Sequence, residues 1–267
     1  MTRPWTPETA DHALSALART PRLLVALDFD GTASPHVDDP MSARALPEVA
    51  EAVARLAALP DTTVAYVSGR SLHHLREIAE HADDSLLALA GSHGVQYWFP
   101  GEDGGDDDDD AALAEPDGRR ETEAEVQELI RPIPGIDFEP KSLGFGVHAR
   151  RATQEDEDRA FTLVDEWAAQ RIPRWRRRTG HHIREFSWRS EGKDAAIARL
   201  REHYGATAVL FAGDDVTDED AMRTLGPDDV GVRVGPGETA AVLRVEDPQG
   251  MGLLLGVLAH ERASAQE

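Results

Sequence analysis

The sequence contains no cysteine, which excludes disulfide bonds, thiolate metal sites and cysteine nucleophiles. It also lacks a long apolar run: the longest, around residues 251–259, is well short of the roughly 20 residues that a membrane-spanning helix needs. Its first thirty residues show no basic segment followed by a long apolar stretch, so we predict no secretory signal. We therefore expect a cytoplasmic protein without membrane contact, and we expect it to act as a monomer.

Positive charge is scarce. The chain has 28 Lys and Arg against 50 Asp and Glu, for a formal net charge of −22. Nucleic-acid backbones are bound by clustered basic residues, so we expect no nucleic-acid partner. The segment 101–110 consists entirely of Gly and acidic residues, which predicts a solvated loop. Lys141 and Lys193 are the only lysines, and since lysine is a compact point charge and arginine a planar fork, we expect a specific role for each.

The 267 residues, 40% of them hydrophobic, can form one large domain or a core with a smaller domain. Apolar runs alternate with helical patterns in the first hundred residues and again after about residue 193, which predicts a doubly wound parallel sheet. Between them, a helix followed by a hairpin occurs twice, as is typical of an α+β unit. The predicted fold class is therefore α/β, with a discontinuous core (1–112 and 189–267) and an inserted α+β cap (113–188).

Carboxylates directly follow two of the predicted buried strands. Asp28 and Asp30 come after the run LLVAL, and Asp214 and Asp215 come after AVLFA and a glycine. The carboxyl ends of parallel strands share one sheet edge, where like charges this close need a counter-charge. Mg²⁺ takes carboxylate and carbonyl oxygens, so the pattern predicts a metal site there. We interpret Asp218 as a cap of the next helix, while Asp215 stays open between metal site and cap.

Four short motifs resemble those of haloacid dehalogenase (HAD) superfamily phosphatases. They are DFDGT at 28–32, Ser68 within VSGR, Lys193, and GDD at 213–215. Within the superfamily the chain resembles the trehalose-6-phosphate phosphatase family in five segments, namely GDDVTDED at 213–220, GSHG at 91–94, EPK at 139–141, HAR at 148–150 and EFSW at 185–188. It departs from that family at the third motif, which reads GKD, and in lacking a proline after residue 188.

This resemblance implies a Mg²⁺-dependent phosphatase that hydrolyses trehalose 6-phosphate, the last step of trehalose biosynthesis, through an aspartyl-phosphate. Asp28 would be the nucleophile and Asp30 the general acid and base, with Ser68 and Lys193 holding the phosphoryl group. The metal would be held by the carboxylates of Asp28 and Asp214 and the backbone carbonyl of Asp30. The implied substrate-binding residues are Asp28, Phe29, Asp30, Thr32, Arg70, Glu139, Lys141, Arg150 and Glu185.

Two alternatives remain open at this point. One is a HAD phosphatase for another sugar phosphate, such as sucrose phosphate. The other is a non-catalytic binding protein on the same scaffold, against which the intact clustered acids and Lys193 argue. His93 is open between a structural role at a strand end and a role in the site.

Overall fold

The computed structural model describes residues 2–6, 12–102, 116–141, 143–180, 182–189 and 191–266. The chain divides into two compact units, one formed by 1–109 with 191–267 and the other by 110–190. The acidic residues 103–110 lie outside the described ranges, so the solvated loop stays a prediction. No helix within the described ranges is long and apolar enough to cross a membrane.

The described residues form strands and helices that alternate along most of the chain. The strands are β1 (Arg3–Pro4), β2 (Leu23–Leu27), β3 (Thr62–Val67), β4 (Leu87–Gly91), β5 (Gln96–Trp98), β6 (Asp137–Lys141), β7 (Gly144–His148), β8 (Arg176–Gly180), β9 (Ile183–Ser187), β10 (Ala208–Gly213), β11 (Val230–Val234) and β12 (Leu243–Val245). The α-helices are α1 (His12–Ala18), α2 (Pro47–Ala57), α3 (Leu72–Ile78), α4 (Arg119–Ile130), α5 (Gln154–Arg171), α6 (Lys193–Tyr204), α7 (Val216–Met222) and α8 (Pro248–Ala265).

The first unit is built on one eight-stranded sheet, in the order β1-β12-β11-β10-β2-β3-β4-β5. All pairs are parallel except the edge pair β4–β5. From β2 the chain builds outward through β3 and β4 on one side, and β10, β11 and β12 extend the other. The strand order therefore reverses at β2, and in open α/β sheets this is where a crevice forms at the carboxyl edge.

Helices cover both faces of this sheet, which is why β2 is apolar at every position. Its residues Leu23, Val25 and Leu27 pack on the side of α1, α2 and α8. Leu24 and Ala26 pack on the side of α6 and α7. The predicted doubly wound α/β core is confirmed.

The second unit holds a four-stranded antiparallel sheet in the order β6-β7-β9-β8, with α4 and α5. The two predicted hairpins are thus one sheet, because β7 pairs with β9. Phe145, Val147 and Phe186 lie on one face and pack with Val126 and Val164 of the helices. Strand residues of the opposite parity are mostly polar.

Arg262 of α8 is almost fully buried at 1% exposure, although none of its hydrogen-bond acceptors among the described residues is a carboxylate. Its guanidinium donates to the Thr62 hydroxyl and to the carbonyls of Ala18, Thr20 and Asp61 at 2.5–3.2 Å. Burial lowers the pKa of Arg262. The side chain therefore ties the C-terminal helix to the end of α1 and the start of β3 through neutral acceptors.

We expect Arg262→Met to lower the free energy of unfolding by about 2–4 kcal/mol, because buried acceptors left without a donor cost about 1–3 kcal/mol each. Urea unfolding followed by circular dichroism measures the change. Arg55→Met, at an exposed arginine of α2, is the matched control and should change stability by less than about 0.5 kcal/mol. Equal stability of the two variants would contradict a structural role for Arg262.

Candidate active site

Three neighbouring strands of the core sheet end in polar side chains at one edge. Asp28 follows β2, Ser68 follows β3, and Asp214 follows β10. Because β10 and β3 flank β2 and all three run parallel, these ends lie side by side with Asp28 in the middle. The two acidic clusters that lie far apart in the sequence therefore meet here, as expected for strand-end residues.

A tight turn follows Asp28. The carbonyl of Phe29 accepts hydrogen bonds from the amides of Ala33 and Ser34 at 3.0 and 2.8 Å. Gly31 has φ = +81°, and a Cβ atom there would lie 2.2 Å from Oδ2 of Asp214. Glycine is thus required at position 31 both by the backbone and by the approach of a carboxylate.

Two predicted substrate-binding residues in this turn have fully buried side chains. The ring of Phe29 packs edge-on against Tyr66, with centroids 5.2 Å apart. The hydroxyl of Thr32 is buried and has no hydrogen-bond partner among the described residues. A substrate contact from Phe29 would have to come from its backbone.

Lys193 lies at the first position of α6 and is buried. Its Nζ lies 2.6 Å from Oδ1 of Asp28 and 2.6 Å from Oδ1 of Asp218. Burial alone would lower the pKa of Lys193, but the charges of Asp218 and Asp28 outweigh it, so the pKa is raised. Burial raises the pKa of Asp28, and the Lys193 ammonium offsets part of that rise. The ammonium is thus the counter-charge that the sequence pattern required.

The acidic cluster consists of Asp28, Asp214 and Asp218, whose carboxylate oxygens approach within 4.8 Å of one another. Oδ1 of Asp214 is buried and has no hydrogen-bond partner in the described part of the chain. Three carboxylates with the single ammonium of Lys193 leave a local charge of about −2 when all are ionised. Both the unpartnered oxygen and this charge fit a divalent cation.

Asp218 has a larger role than the predicted helix cap. The N-terminal cap of α7 is Asp215, and Asp218 completes the capping box as its third residue. Oδ2 of Asp218 accepts from the backbone amides of Asp214 and Asp215 at 3.1 and 2.9 Å. Its other oxygen is bonded to Lys193, so Asp218 links the cap to the acidic cluster.

Asp30 is not part of this carboxylate cluster. Its two oxygens accept from Nε and Nη2 of Arg70 at 2.6 and 2.7 Å, a bidentate pair. This hydrogen bonding raises the pKa of Arg70. Arg70 therefore orients Asp30, while a direct substrate contact from Arg70 and a metal bond from the Asp30 carbonyl stay predictions.

The segment GSHG supports the turn that carries Ser68. The amide of Ser92 donates to the carbonyl of Arg70 at 2.6 Å, and the amide of His93 donates to that of Ser68 at 2.9 Å. The His93 ring lies so close to Gly69 that a Cβ there would approach it to 2.7 Å. His93 therefore has a supporting role in the structure.

One face of the sheet in the second unit carries a connected charged cluster. Lys141 is hydrogen-bonded to Glu185, and its Nζ lies 3.7 Å from Oε2 of Glu139. Glu139 is in turn hydrogen-bonded to His148. Gly146 lies between Glu139 and Glu185 in the strand register. A Cβ on Gly146 would lie 3.3 Å from Cε of Lys141, so this glycine leaves the space that the cluster fills.

Arg150, the fourth predicted sugar-binding residue of this unit, stands outside that cluster. It is exposed in the turn after β7 and makes no hydrogen bond or ion pair with the described residues. The neighbouring Arg151 pairs with Asp137 instead. A sugar contact from Arg150 stays a prediction.

The trehalose-phosphatase family model matches residues 26–246, which include all four motifs and the second unit. The chain belongs to this family. A trehalose-phosphate phosphatase of Mycobacterium ulcerans is 32% identical over a stretch that covers 93% of this chain and 66% of that protein. The chain thus spans just under two thirds of the length of that curated relative.

Two solved structures of similar fold cover 97% of this trehalose-phosphatase family member and 99% of their own chains. The C-terminal domain of trehalose-6-phosphate phosphatase from C. albicans matches with a TM-score of 0.74 and 20% identity. Trehalose-6-phosphate phosphatase from Aspergillus fumigatus matches with a TM-score of 0.73 and 25% identity. The resemblance and the HAD-like fold class predicted from the sequence are confirmed.

Two residues of the candidate site, Asp218 and His36, were not predicted as site residues from the sequence. Asp218 was interpreted only as a helix cap, although it lies four residues after Asp214, one turn along the chain. His36 lies in the loop after the first motif, and its Nε2 is 2.9 Å from Oδ2 of Asp214. Nothing in the sequence around His36 signals this contact.

Proposed function

We propose that the chain hydrolyses trehalose 6-phosphate to trehalose and phosphate, the last step of trehalose biosynthesis. The position of Asp28 supports this most directly. Its buried carboxylate lies at the carboxyl edge of the core sheet, where Lys193 contacts one oxygen and the carboxylates of Asp214 and Asp218 lie nearby. Membership of the trehalose-phosphatase family supports the substrate. We further propose a monomer that acts in the cytoplasm on this small-molecule substrate.

We propose that Mg²⁺ is the cofactor. Asp28 and Asp214, with the backbone carbonyl of Asp30, would hold it, and Asp218 adds a nearby carboxylate. The unpartnered Oδ1 of Asp214 and the excess negative charge of the cluster support this assignment. When bound, the ion supplies positive charge that favours the ionised nucleophile and stabilises a phosphoryl group in transfer.

In the first half-reaction Asp28 attacks the phosphorus. Lys193 is bonded to Oδ1, so Oδ2 is the attacking oxygen. The bond between phosphorus and the sugar oxygen breaks, and protonated Asp30 gives its proton to that oxygen, so trehalose leaves and Asp28 carries the phosphoryl group. Ser68 and Lys193 hold phosphoryl oxygens through their hydroxyl and ammonium groups.

In the second half-reaction water attacks the phosphorus of the aspartyl-phosphate. Asp30, now ionised, accepts a proton from that water, and the bond to Asp28 breaks to release phosphate. The Arg70 fork holds Asp30 by both oxygens, which orients the carboxylate that accepts this proton. Asp30 thereby regains the proton it gave up.

We propose that the second unit is a cap that recognises the sugar. Glu139, Lys141 and Glu185 offer acceptors and a donor on one face of its sheet, and sugar hydroxyls need both. Gly146 has no side chain, which leaves the room that Lys141 and Glu139 occupy. The predicted boundaries of this cap, 113–188, remain part of the proposal.

The test is phosphate release from trehalose 6-phosphate, compared with sucrose 6-phosphate and glucose 6-phosphate. We expect the highest kcat/KM for trehalose 6-phosphate, loss of turnover with excess EDTA, and recovery when Mg²⁺ is restored. A higher kcat/KM for another sugar phosphate would overturn the substrate. Full turnover in excess chelator would overturn the metal and leave the substrate standing.

A further inference from the structure

Asp214 is the one carboxylate of the acidic cluster that Lys193 does not hold, since that ammonium is bonded to Asp28 and Asp218. Within the described ranges, the side chain of Asp214 receives one hydrogen bond, from Nε2 of His36 to Oδ2 at 2.9 Å. Its other oxygen, Oδ1, is buried without a partner there. The two oxygens of Asp214 are therefore in different environments.

The turn that presents Asp28 also places His36. The amide of Ser34 donates to the carbonyl of Phe29 at 2.8 Å, and the amide of Gly31 donates to the carbonyl of Ser34 at 2.7 Å. Pro35 then fixes the backbone before His36. The His36 side chain is 73% exposed, so core packing does not require it.

A carboxylate without a directional partner can rotate about its terminal torsion, since such sp²–sp³ torsions are broad. Gly31 lies against Asp214 but offers no side-chain donor, so contact with Gly31 alone does not determine which oxygen of Asp214 faces the acidic cluster. A hydrogen bond to Oδ2 does determine this orientation. Because Asp214 is an acceptor, Nε2 of His36 carries the proton in this pair.

We propose that His36 is a positioning residue for the divalent-cation site, donating from Nε2 to Oδ2 of Asp214 so that Oδ1 stays inside the acidic cluster. The inference rests on the magnesium site proposed above. Hydrogen bonds to metal-ligating groups orient them, and their loss typically weakens metal binding by 10- to 100-fold. His36 thus affects how tightly the cation is held and is not a catalytic residue.

The test compares wild type with His36→Ala and His36→Gln by isothermal titration of Mg²⁺, and separately Mn²⁺, into the enzyme without substrate. We expect His36→Ala to raise Kd roughly tenfold for both cations. His36→Gln should restore near-wild-type Kd, because its amide nitrogen is as many bonds from Cβ as Nε2 of histidine and also donates. His260→Ala, at an exposed histidine of α8, should match wild type. Thermal unfolding of each variant checks that it is folded.

An unchanged Kd in His36→Ala overturns the proposal, and so does a loss that His36→Gln fails to restore, since the imidazole would then act in another way. If wild type binds neither cation, the magnesium site fails and the role of His36 fails with it. If wild type binds the cations but does not hydrolyse trehalose 6-phosphate, the proposed substrate fails, while the comparison of Kd values still decides the role of His36.

Discussion

Asp28→Asn is expected to abolish turnover of trehalose 6-phosphate, lowering kcat by at least about a thousandfold. The amide is nearly isosteric with the carboxylate, but it cannot form the acyl-phosphate that the proposed mechanism requires. Among the described residues, the change also leaves Lys193 with a single carboxylate partner, Asp218. Steady-state phosphate release measures the loss, and hydroxylamine treatment after rapid quenching should detect a labile phosphoenzyme in wild type and none in the variant.

Asp215→Asn is the matched control, because it makes the same substitution at the same sheet edge. Asp215 is exposed and caps α7, a role that asparagine fills equally well. Its kcat should therefore stay within about threefold of wild type. Near-wild-type turnover in Asp28→Asn, or equal losses in both variants, would remove Asp28 as the nucleophile.

The core of the fold could be predicted because its strands are buried on both faces. The run LLVAL became β2 with the predicted bounds, Leu23–Leu27, since both faces of this strand are covered by helices. The edge strand β5 was missed, because three residues are too few for a periodic pattern. The sequence pattern predicts a helix from Ser71 to Ala82, but α3 ends at Ile78. Glu80, two residues beyond the end of this helix, has a positive φ of 49°. The sequence gives no indication of this backbone conformation.

Site residues could be predicted where they directly follow a strand. They could not be predicted where contacts between residues far apart in the sequence bring them to the site. Asp28 and Asp214 were found because each follows a buried strand, and Ser68 was found through the resemblance of its motif to that of HAD phosphatases. The bond between Lys193 and Asp218 joins residues 25 positions apart in the sequence and depends on how α6 and α7 pack. His36 reaches Asp214 from an irregular loop, so neither periodicity nor spacing could place it.

The second prediction with a large expected effect distinguishes the roles of the two lysines, Lys193 and Lys141. Lys193 is buried between Asp28 and Asp218, so in our proposal it contacts the phosphoryl group that every phosphomonoester carries. Lys141 belongs to the polar cluster of the second unit, where we propose that the sugar binds. Lys193→Met should therefore depress hydrolysis of trehalose 6-phosphate and of a small aryl phosphate alike. Lys141→Met should impair trehalose 6-phosphate hydrolysis and largely spare the aryl phosphate.

Losing a hydrogen bond to a charged group costs about 1.5–3 kcal/mol, which corresponds to a loss of roughly ten- to two-hundred-fold in kcat/KM. Arg159→Met, at an exposed arginine of α5, is the control for Lys141→Met and should leave both activities unchanged. Circular dichroism tests folding of Lys193→Met, whose buried carboxylates lose their counter-ion. If Lys141→Met and Lys193→Met lose both activities in the same ratio, the division between sugar and phosphoryl recognition is wrong. If Lys141→Met changes neither activity, Lys141 is a surface lysine, because a residue that contacts the sugar must alter the preference between these two substrates.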